Sequence, residues 1–162
     1  MNYVEIDAGS WRFQLRVAAV CIWRDHVLLQ RALDGAFWVL PGGRLLPLEQ
    51  TADGLTRTMR CEIGQDVIIQ RLLWVMEYFT PIRGVSFHEL GFYYAIDLPE
   101  HSPFRDLERD HAGVERGHEL LLRWFPVDTL TDQPLFPDFL RTALQHLPDG
   151  PQHIVRVEVE RS

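Results

Sequence analysis

The chain has 162 residues, the usual length of one domain, so residues 1–162 are predicted to form a single domain. With 46% hydrophobic and 24% charged residues it is too apolar for intrinsic disorder, and it lacks the roughly 18 consecutive apolar residues that cross a membrane. Its 23 acidic residues outnumber 16 arginines, with no lysine, and the net charge of −7 argues against a nucleic-acid-binding surface.

Cysteine usage points to a reducing compartment. Cys21 and Cys61 stand far apart and outside any CxxC pair, too few for a disulfide framework or a thiolate zinc site. The first residues show no signal-peptide pattern, so a cytoplasmic protein is expected. Any phosphate group that so acidic a protein handles would need a metal cation beside it.

The first predicted elements form a β-hairpin. Residues 16–23 are a buried strand, residues 24–26 a turn and residues 27–30 the returning strand. The short apolar run 37–40 ends at Pro41-Gly42-Gly43, where a proline and two glycines interrupt regular pairing. A shaped loop is therefore predicted at that point.

A helix is predicted over residues 51–63. Its apolar residues recur at spacings of three and four: Ala52, Leu55, Met59 and Ile63. Gly64 follows directly, at the position where helices commonly end.

The second half of the chain predicts mainly strands. Residues 67–79 and 86–98 are rich in β-branched and aromatic side chains and flank a turn at residues 80–84, so they are predicted to pair. Residues 99–117 are polar and predict a long surface loop.

Three elements are predicted after this loop, a strand at residues 119–125, a helix at 137–147 and a strand at 153–159. This order of strands and helices places the fold in the α/β or α+β class.

The segment from Gly43 to Gln65, GRLLPLEQTADGLTRTMRCEIGQ, joins the shaped loop to the predicted helix. It resembles the signature box of the Nudix hydrolases: Gly, five residues, Glu, seven residues, Arg-Glu, an aliphatic residue, one residue, Glu-Glu, one residue, Gly and an aliphatic residue. Six positions match this box at the correct spacing: Gly43, Glu49, Arg57, Met59, Glu62 and Gly64. The resemblance covers roughly residues 16–130 and implies the Nudix fold, a mixed β-sheet sandwiched between helices.

Three positions of the box depart from the family. Thr58 and Cys61 stand where the family places two metal-binding glutamates, and Gln65 replaces the last aliphatic residue. The GDP-mannose mannosyl hydrolases lack the same two glutamates and use a single metal, and the turn LPGG looks like theirs. The resemblance to that branch implies one metal ion and leaves open whether water attacks phosphorus or the sugar carbon.

Of the three carboxylates that the box places on the predicted helix, Glu62 is the one that remains. It lies four residues after Thr58, on the face opposite the apolar stripe, and is expected to point outward. Mg²⁺ prefers oxygen ligands, so one carboxylate and a backbone carbonyl of Gly42 can hold it while substrate phosphates complete the shell. The resemblance assigns the metal-ligand roles to Gly42 and Glu62, with Mn²⁺ as the alternative cation, and makes Glu49 and Arg57 the pair that ties loop to helix.

Further side chains are candidates for contact with substrate. Arg31 and Arg44 flank the glycine turn and could hold phosphates through paired hydrogen bonds, the alternative being that both are simply solvated. Glu119 begins a strand after a polar loop, where loop motion could bring a general base to the attacking water, and it is the predicted catalytic residue. The reserve candidates for this role are His118, Glu89 and Glu77.

These residues predict a Mg²⁺-dependent Nudix hydrolase that cleaves a nucleoside diphosphate linked to another moiety, or a nucleoside triphosphate, with water as the nucleophile. Because two box carboxylates are missing, the alternative is a catalytically inactive Nudix domain that binds a nucleotide or a partner. The expected partners are a small-molecule nucleotide or nucleotide-sugar and, since the family is often dimeric, a second copy of the chain. Neither nucleic acid nor a membrane is expected as a partner.

Overall fold

The structure is a computed structural model that describes residues 2–159, so residue 1 and residues 160–162 of the predicted domain lie outside the described residues. The strands and helices, in chain order, are β1 (Glu5–Asp7), β2 (Trp11–Trp23), β3 (His26–Ala32), β4 (Gly42–Arg44), α1 (Thr51–Ile63), β5 (Ile68–Ile82), β6 (Val85–Asp97), β7 (His111–Glu115), β8 (His118–Pro126), α2 (Leu140–Ala143) and β9 (Gln152–Val157). Short 3-10 turns occupy Pro103–Arg105 and Val127–Asp132.

The strands form a mixed sheet around the long strand β2. The order is β7-β8-β3-β2-β6-β5-β9, in which β2 and β6, and likewise β5 and β9, are parallel. One edge of β2 pairs with β6, while the other edge pairs in turn with β1, β4 and β3. The prediction of a mixed sheet is confirmed.

Both faces of the sheet are covered, as the resemblance to the Nudix fold implies. Along β2 the odd-numbered residues 17–21 belong to the core on the α1 face, and the even-numbered residues 18 and 20 belong to the core on the α2 face. This strict alternation follows from the period of two in a β-strand and explains why β2 is apolar on both faces.

Helix α1 has the bounds that the sequence predicts. Leu55, Met59 and Ile63 form its buried face, and complete burial of a Leu or Met side chain contributes roughly 1.5–3 kcal/mol. Gly64 ends the helix in the left-handed conformation, with φ of 68°, and its N–H donates to the Arg60 carbonyl at 3.1 Å. The helix prediction is confirmed.

The predicted loop over residues 99–117 is wrong in its second half, which forms β7. This strand makes a hairpin with β8 through Arg116 and Gly117, both left-handed with φ of 51° and 79°. The central residue of this strand, Gly113, packs closely against α1, where a larger side chain would not fit. The segment His-Ala-Gly-Val-Glu therefore lacks large alternating apolar residues, and its pattern does not indicate a strand.

Two other predicted boundaries are also wrong. The helix predicted at residues 137–147 is only the single turn α2, although Leu140 and Leu144 insert into the core. The turn predicted at residues 80–84 needs only Arg83 and Gly84, because both adopt left-handed φ angles that reverse the chain directly. No helix within residues 2–159 has the length and apolar character needed to cross a membrane.

Candidate active site

The shaped loop joins the sheet as β4, antiparallel to β2. The Pro41 carbonyl and the Leu45 N–H both bond to β2, at 2.7 and 3.1 Å. Bonded and non-bonded positions alternate in an antiparallel ladder, so Gly43 also bonds to β2 while the Gly42 carbonyl points away from it. The Gly42 carbonyl is therefore not used in this ladder, as its predicted role as a metal ligand requires.

Glycine at position 43 allows the loop to lie directly on α1. A Cβ atom at this position would be 2.7 Å from Cγ2 of Thr58, which is 3% exposed. The expectation of an outward face for Thr58 and Glu62 is therefore corrected, because β4 covers Thr58 and Glu62 is half-buried.

Glu49 and Arg57 form the pair that joins loop to helix. The Arg57 guanidinium donates to both Glu49 carboxylate oxygens, at 2.6 and 3.0 Å, and to the Arg44 carbonyl at 3.0 Å. Glu49 also accepts from the Leu46 N–H at 2.9 Å. The hydrogen bond from Arg57 is the main cause that lowers the pKa of Glu49 below its usual value. This bidentate pair fixes the loop on the first half of α1.

Glu62 lies in an environment that disfavours its charge. Burial, followed by repulsion from Glu115, raises its pKa from 4.5 to about 8, although the positive charges of Arg16 and Arg57 act in the opposite direction. A carboxyl group held in this way near a second carboxylate gains from a cation placed between them.

Glu115 is a carboxylate near Glu62 that the sequence reasoning did not select. It ends β7, which packs on the end of α1 so closely that a Cβ at Gly113 would be 2.9 Å from the Glu62 carbonyl oxygen. No sequence motif marks Glu115, and it is identifiable only because the hairpin of β7 and β8 places it opposite Glu62.

Glu119 and His118 lie on different faces of β8. Leu120 lies in the core on the α1 face, and because side chains alternate along a strand, His118 lies on that face too. Glu115 is the cross-strand partner of His118 and therefore shares this face. Glu119 is exposed and directed to the opposite face. The structure brings Glu115 to Glu62 and does not bring Glu119 there.

The two arginines predicted to bind phosphate contact groups of their own chain. Arg31 donates to the carbonyls of Leu33 (3.1 Å) and Gly35 (2.8 Å), and its guanidinium lies 5.1 Å from the centre of a Trp38 ring. Arg44 forms an ion pair with Glu5. Their binding of substrate phosphate stays a prediction.

The reserve carboxylates occupy different surroundings. Glu77 accepts a hydrogen bond of 2.6 Å from His153 at the sheet edge that β9 forms. Glu89 accepts one of 2.5 Å from the Gln14 side-chain amide and lines a large cavity.

This cavity, about 730 Å³ in volume, lies on the sheet face opposite α1. Its floor consists of side chains from β2, β6 and β5, and its walls come from the loop before β4 and from the segment around α2. Aromatic side chains contribute on both sides, namely Phe37, Tyr78, Tyr93 and Phe136. An apolar cavity of this size with aromatic walls suits a planar organic group.

Arg16 links the cavity to the box. It lines the cavity, donates to the Leu40 carbonyl at 3.1 Å, and its positive charge partly offsets the rise in the pKa of Glu62. Ala18, two residues along β2, also lines the cavity and faces Gly42 in the ladder. A ligand in the cavity would therefore lie beside the segment of β2 that pairs with the box loop. The sequence reasoning did not single out Arg16, whose only signal was a charge at the start of an apolar strand.

Comparison with known proteins identifies the class. The family model for the NUDIX domain matches residues 12–147, and the chain belongs to the Nudix hydrolase family. By class it is a hydrolase, as the sequence predicted. A search of the curated proteins finds no match.

Solved structures show the same fold at low sequence identity. An ADP-ribose pyrophosphatase from Streptococcus suis is 17% identical, with 88% of this chain and 98% of that chain covered and a TM-score of 0.56. A MutT NUDIX hydrolase from Burkholderia pseudomallei is 24% identical, with 82% and 96% covered and a TM-score of 0.59. A NUDIX hydrolase from Nitrosomonas europaea is 18% identical, with 90% and 79% covered and a TM-score of 0.61.

Proposed function

We propose that this protein is a Mg²⁺-dependent hydrolase of a nucleoside diphosphate linked to another moiety, or of a nucleoside triphosphate, with water as the nucleophile. The observation that carries the proposal is the aromatic cavity, whose lining includes Arg16 and Ala18 of the β2 segment that pairs with the box loop β4. A nucleoside in the cavity would extend its phosphates along this arginine towards the box.

The residues at the box fit a divalent cation. Glu62 and Glu115 repel each other, and the Gly42 carbonyl points away from the β2 ladder, which gives a set of oxygen donors with surplus negative charge. Within residues 2–159 no group of three or more His, Cys, Asp or Glu side chains is placed to hold a metal ion, so in this proposal substrate phosphates supply the further ligands. When bound, Mg²⁺, or Mn²⁺ as the alternative, supplies charge neutralisation for the diphosphate and lowers the pKa of water.

The chain's own residues have distinct tasks in this proposal. Glu62 binds the cation with the Gly42 carbonyl, and Arg16 stabilises negative charge that develops on the phosphates. Glu115 accepts the proton of the attacking water, because it lies on the sheet face that α1 covers, whereas Glu119 lies on the opposite face. Glu119 stays the candidate that the sequence indicates and is tested beside it.

The decisive experiment measures turnover with Mg²⁺ on a panel of nucleoside triphosphates and diphosphate-linked nucleosides in oxygen-18 water. Label in the phosphate product supports attack at phosphorus, and label in the sugar supports the chemistry of the GDP-mannose mannosyl hydrolases. Glu62→Gln should abolish turnover, whereas Glu100→Gln, the same change at an exposed position, should not.

Absence of turnover across the whole panel would overturn the proposal and favour the alternative, a domain that binds nucleotides without cleaving them. This alternative is supported by the absence of two box carboxylates, because Thr58 and Cys61 stand at their positions. Homodimerisation also stays a prediction, and light scattering coupled to size-exclusion chromatography tests it.

A further inference from the structure

The N-terminal segment, residues 2–7, lies across the junction of β2 and β4. The Val4 N–H donates to the Leu45 carbonyl at 2.8 Å, and the Val4 carbonyl accepts from the Leu15 N–H at 3.1 Å. Beyond Val4 the segment continues as β1, paired with β2. These bonds fix the backbone on either side of the box loop, so the preceding residue, Tyr3, has a defined position.

The Tyr3 ring contacts two guanidinium groups from different parts of the chain. The central carbon of the Arg44 guanidinium lies 4.2 Å from the ring centre, and that of Arg116 lies 5.4 Å from it. Both distances are within the range of an attractive cation–π contact. Arg44, which belongs to the box loop, also forms an ion pair with Glu5, so two contacts fix the position of its guanidinium.

Arg116 connects this arrangement to the proposed base. It follows Glu115 directly and forms, with Gly117, the exposed turn of the β7–β8 hairpin. A short exposed hairpin turn is a mobile part of a protein unless a side chain ties it down. The contact between the Tyr3 ring and Arg116 restrains this turn next to Glu115.

We propose that Tyr3 is a positioning residue: its ring joins Arg44, beside the box, to Arg116 and thereby holds Glu115 opposite Glu62. This inference rests on the proposed role of Glu115 in catalysis. The mechanical part, restraint of the hairpin by Tyr3, can be measured without any substrate.

The experiment compares Tyr3→Leu, which removes the ring, with Tyr3→Phe, which keeps a ring that attracts cations. Hydrogen exchange over residues 111–118 should be about fivefold faster in Tyr3→Leu, the loss expected for exposed cation–π contacts, and unchanged in Tyr3→Phe. On the best substrate, kcat of Tyr3→Leu should fall about tenfold with KM within about twofold of wild type, and Tyr3→Phe should restore it.

Two further variants serve as a negative control and as an independent way to remove the contact between Tyr3 and Arg116. Phe87→Leu removes a comparable contact, that of Arg12 at 5.8 Å from the Phe87 ring centre, and should move neither measurement. Arg116→Met removes the guanidinium from an exposed turn and should reproduce Tyr3→Leu, including the case in which Tyr3→Leu fails to fold.

Unchanged exchange over residues 111–118 in Arg116→Met or in folded Tyr3→Leu would overturn the restraint. Faster exchange with unchanged kcat would overturn the positioning of Glu115. If the wild type has no turnover, the proposed function and the positioning of Glu115 fall together, and the exchange data still decide the restraint.

Discussion

Replacing Glu62 by glutamine should have opposite effects on stability in the absence and presence of Mg²⁺. The pKa of Glu62 is about 8 in the folded protein and 4.5 ordinarily, so between these pH values the folded state retains a proton that the unfolded state releases. The resulting stabilisation is complete below pH 4.5 and is lost as pH rises through about 8. Because glutamine cannot ionise, the free energy of unfolding of Glu62→Gln should not show this decrease with rising pH.

The size of the effect follows from the two pKa values. At about 1.4 kcal/mol per pH unit, the difference sets an upper limit of about 5 kcal/mol on what ionised Glu62 costs above pH 8. Solvent screening of a half-buried group reduces this to about 1–3 kcal/mol. For a chain of this length, Glu62→Gln without metal at pH 8.5 should therefore melt about 3–10 °C above wild type.

In the presence of Mg²⁺ we expect the wild type to melt at a higher temperature than Glu62→Gln. A cation at about a thousand times its dissociation constant stabilises the protein that binds it by about 4.1 kcal/mol, more than the roughly 1–3 kcal/mol that favours the variant without metal, and glutamine removes the carboxylate ligand. Melting curves at pH 6 and pH 8.5, with chelator and with Mg²⁺, make the comparison, and Glu100→Gln controls for an exposed loss of charge. A lower melting temperature for Glu62→Gln in chelator, or an Mg²⁺ response equal to that of wild type, would refute the reasoning.

Three other substitutions test the site. Arg57→Ala should destabilise the protein by about 2–4 kcal/mol and Arg44→Ala by about 1 kcal/mol in urea titrations, because only the first leaves Glu49 without its bidentate partner; equal values would contradict this. Glu115→Gln should lower kcat about 10²–10⁴-fold with KM unchanged, and Glu119→Gln should not; the reverse result would restore Glu119 as the base. Gly43→Ala should cost about 1–3 kcal/mol, because its Cβ would contact α1, and a wild-type melting temperature would contradict the close packing.

Prediction from sequence succeeded where local pattern and local contacts coincide. The apolar spacing of residues 51–63 and the glycine at position 64 gave the bounds of α1, since both helix period and helix end are local properties. The pair of Glu49 and Arg57 lies within one continuous motif, so its contact required no knowledge of distant strands. The family followed from the same motif.

Prediction failed where remote segments decide the environment of a residue. β7 carries no apolar alternation, because it is stabilised by pairing with β8 and by close contact of Gly113 with α1. Without β7, Glu62 appeared outward-facing, and Glu115 had no reason to be selected over Glu119.

The sequence by itself determined that the chain belongs to the Nudix family and which loop and helix carry the box, because these depend on residue types at short spacings. Only the tertiary structure decided which second carboxylate lies near Glu62 and that Arg16, on the strand segment that pairs with the box loop, lines the cavity. Those relations depend on strand register, and in a strand a shift of one residue moves every side chain to the other face of the sheet.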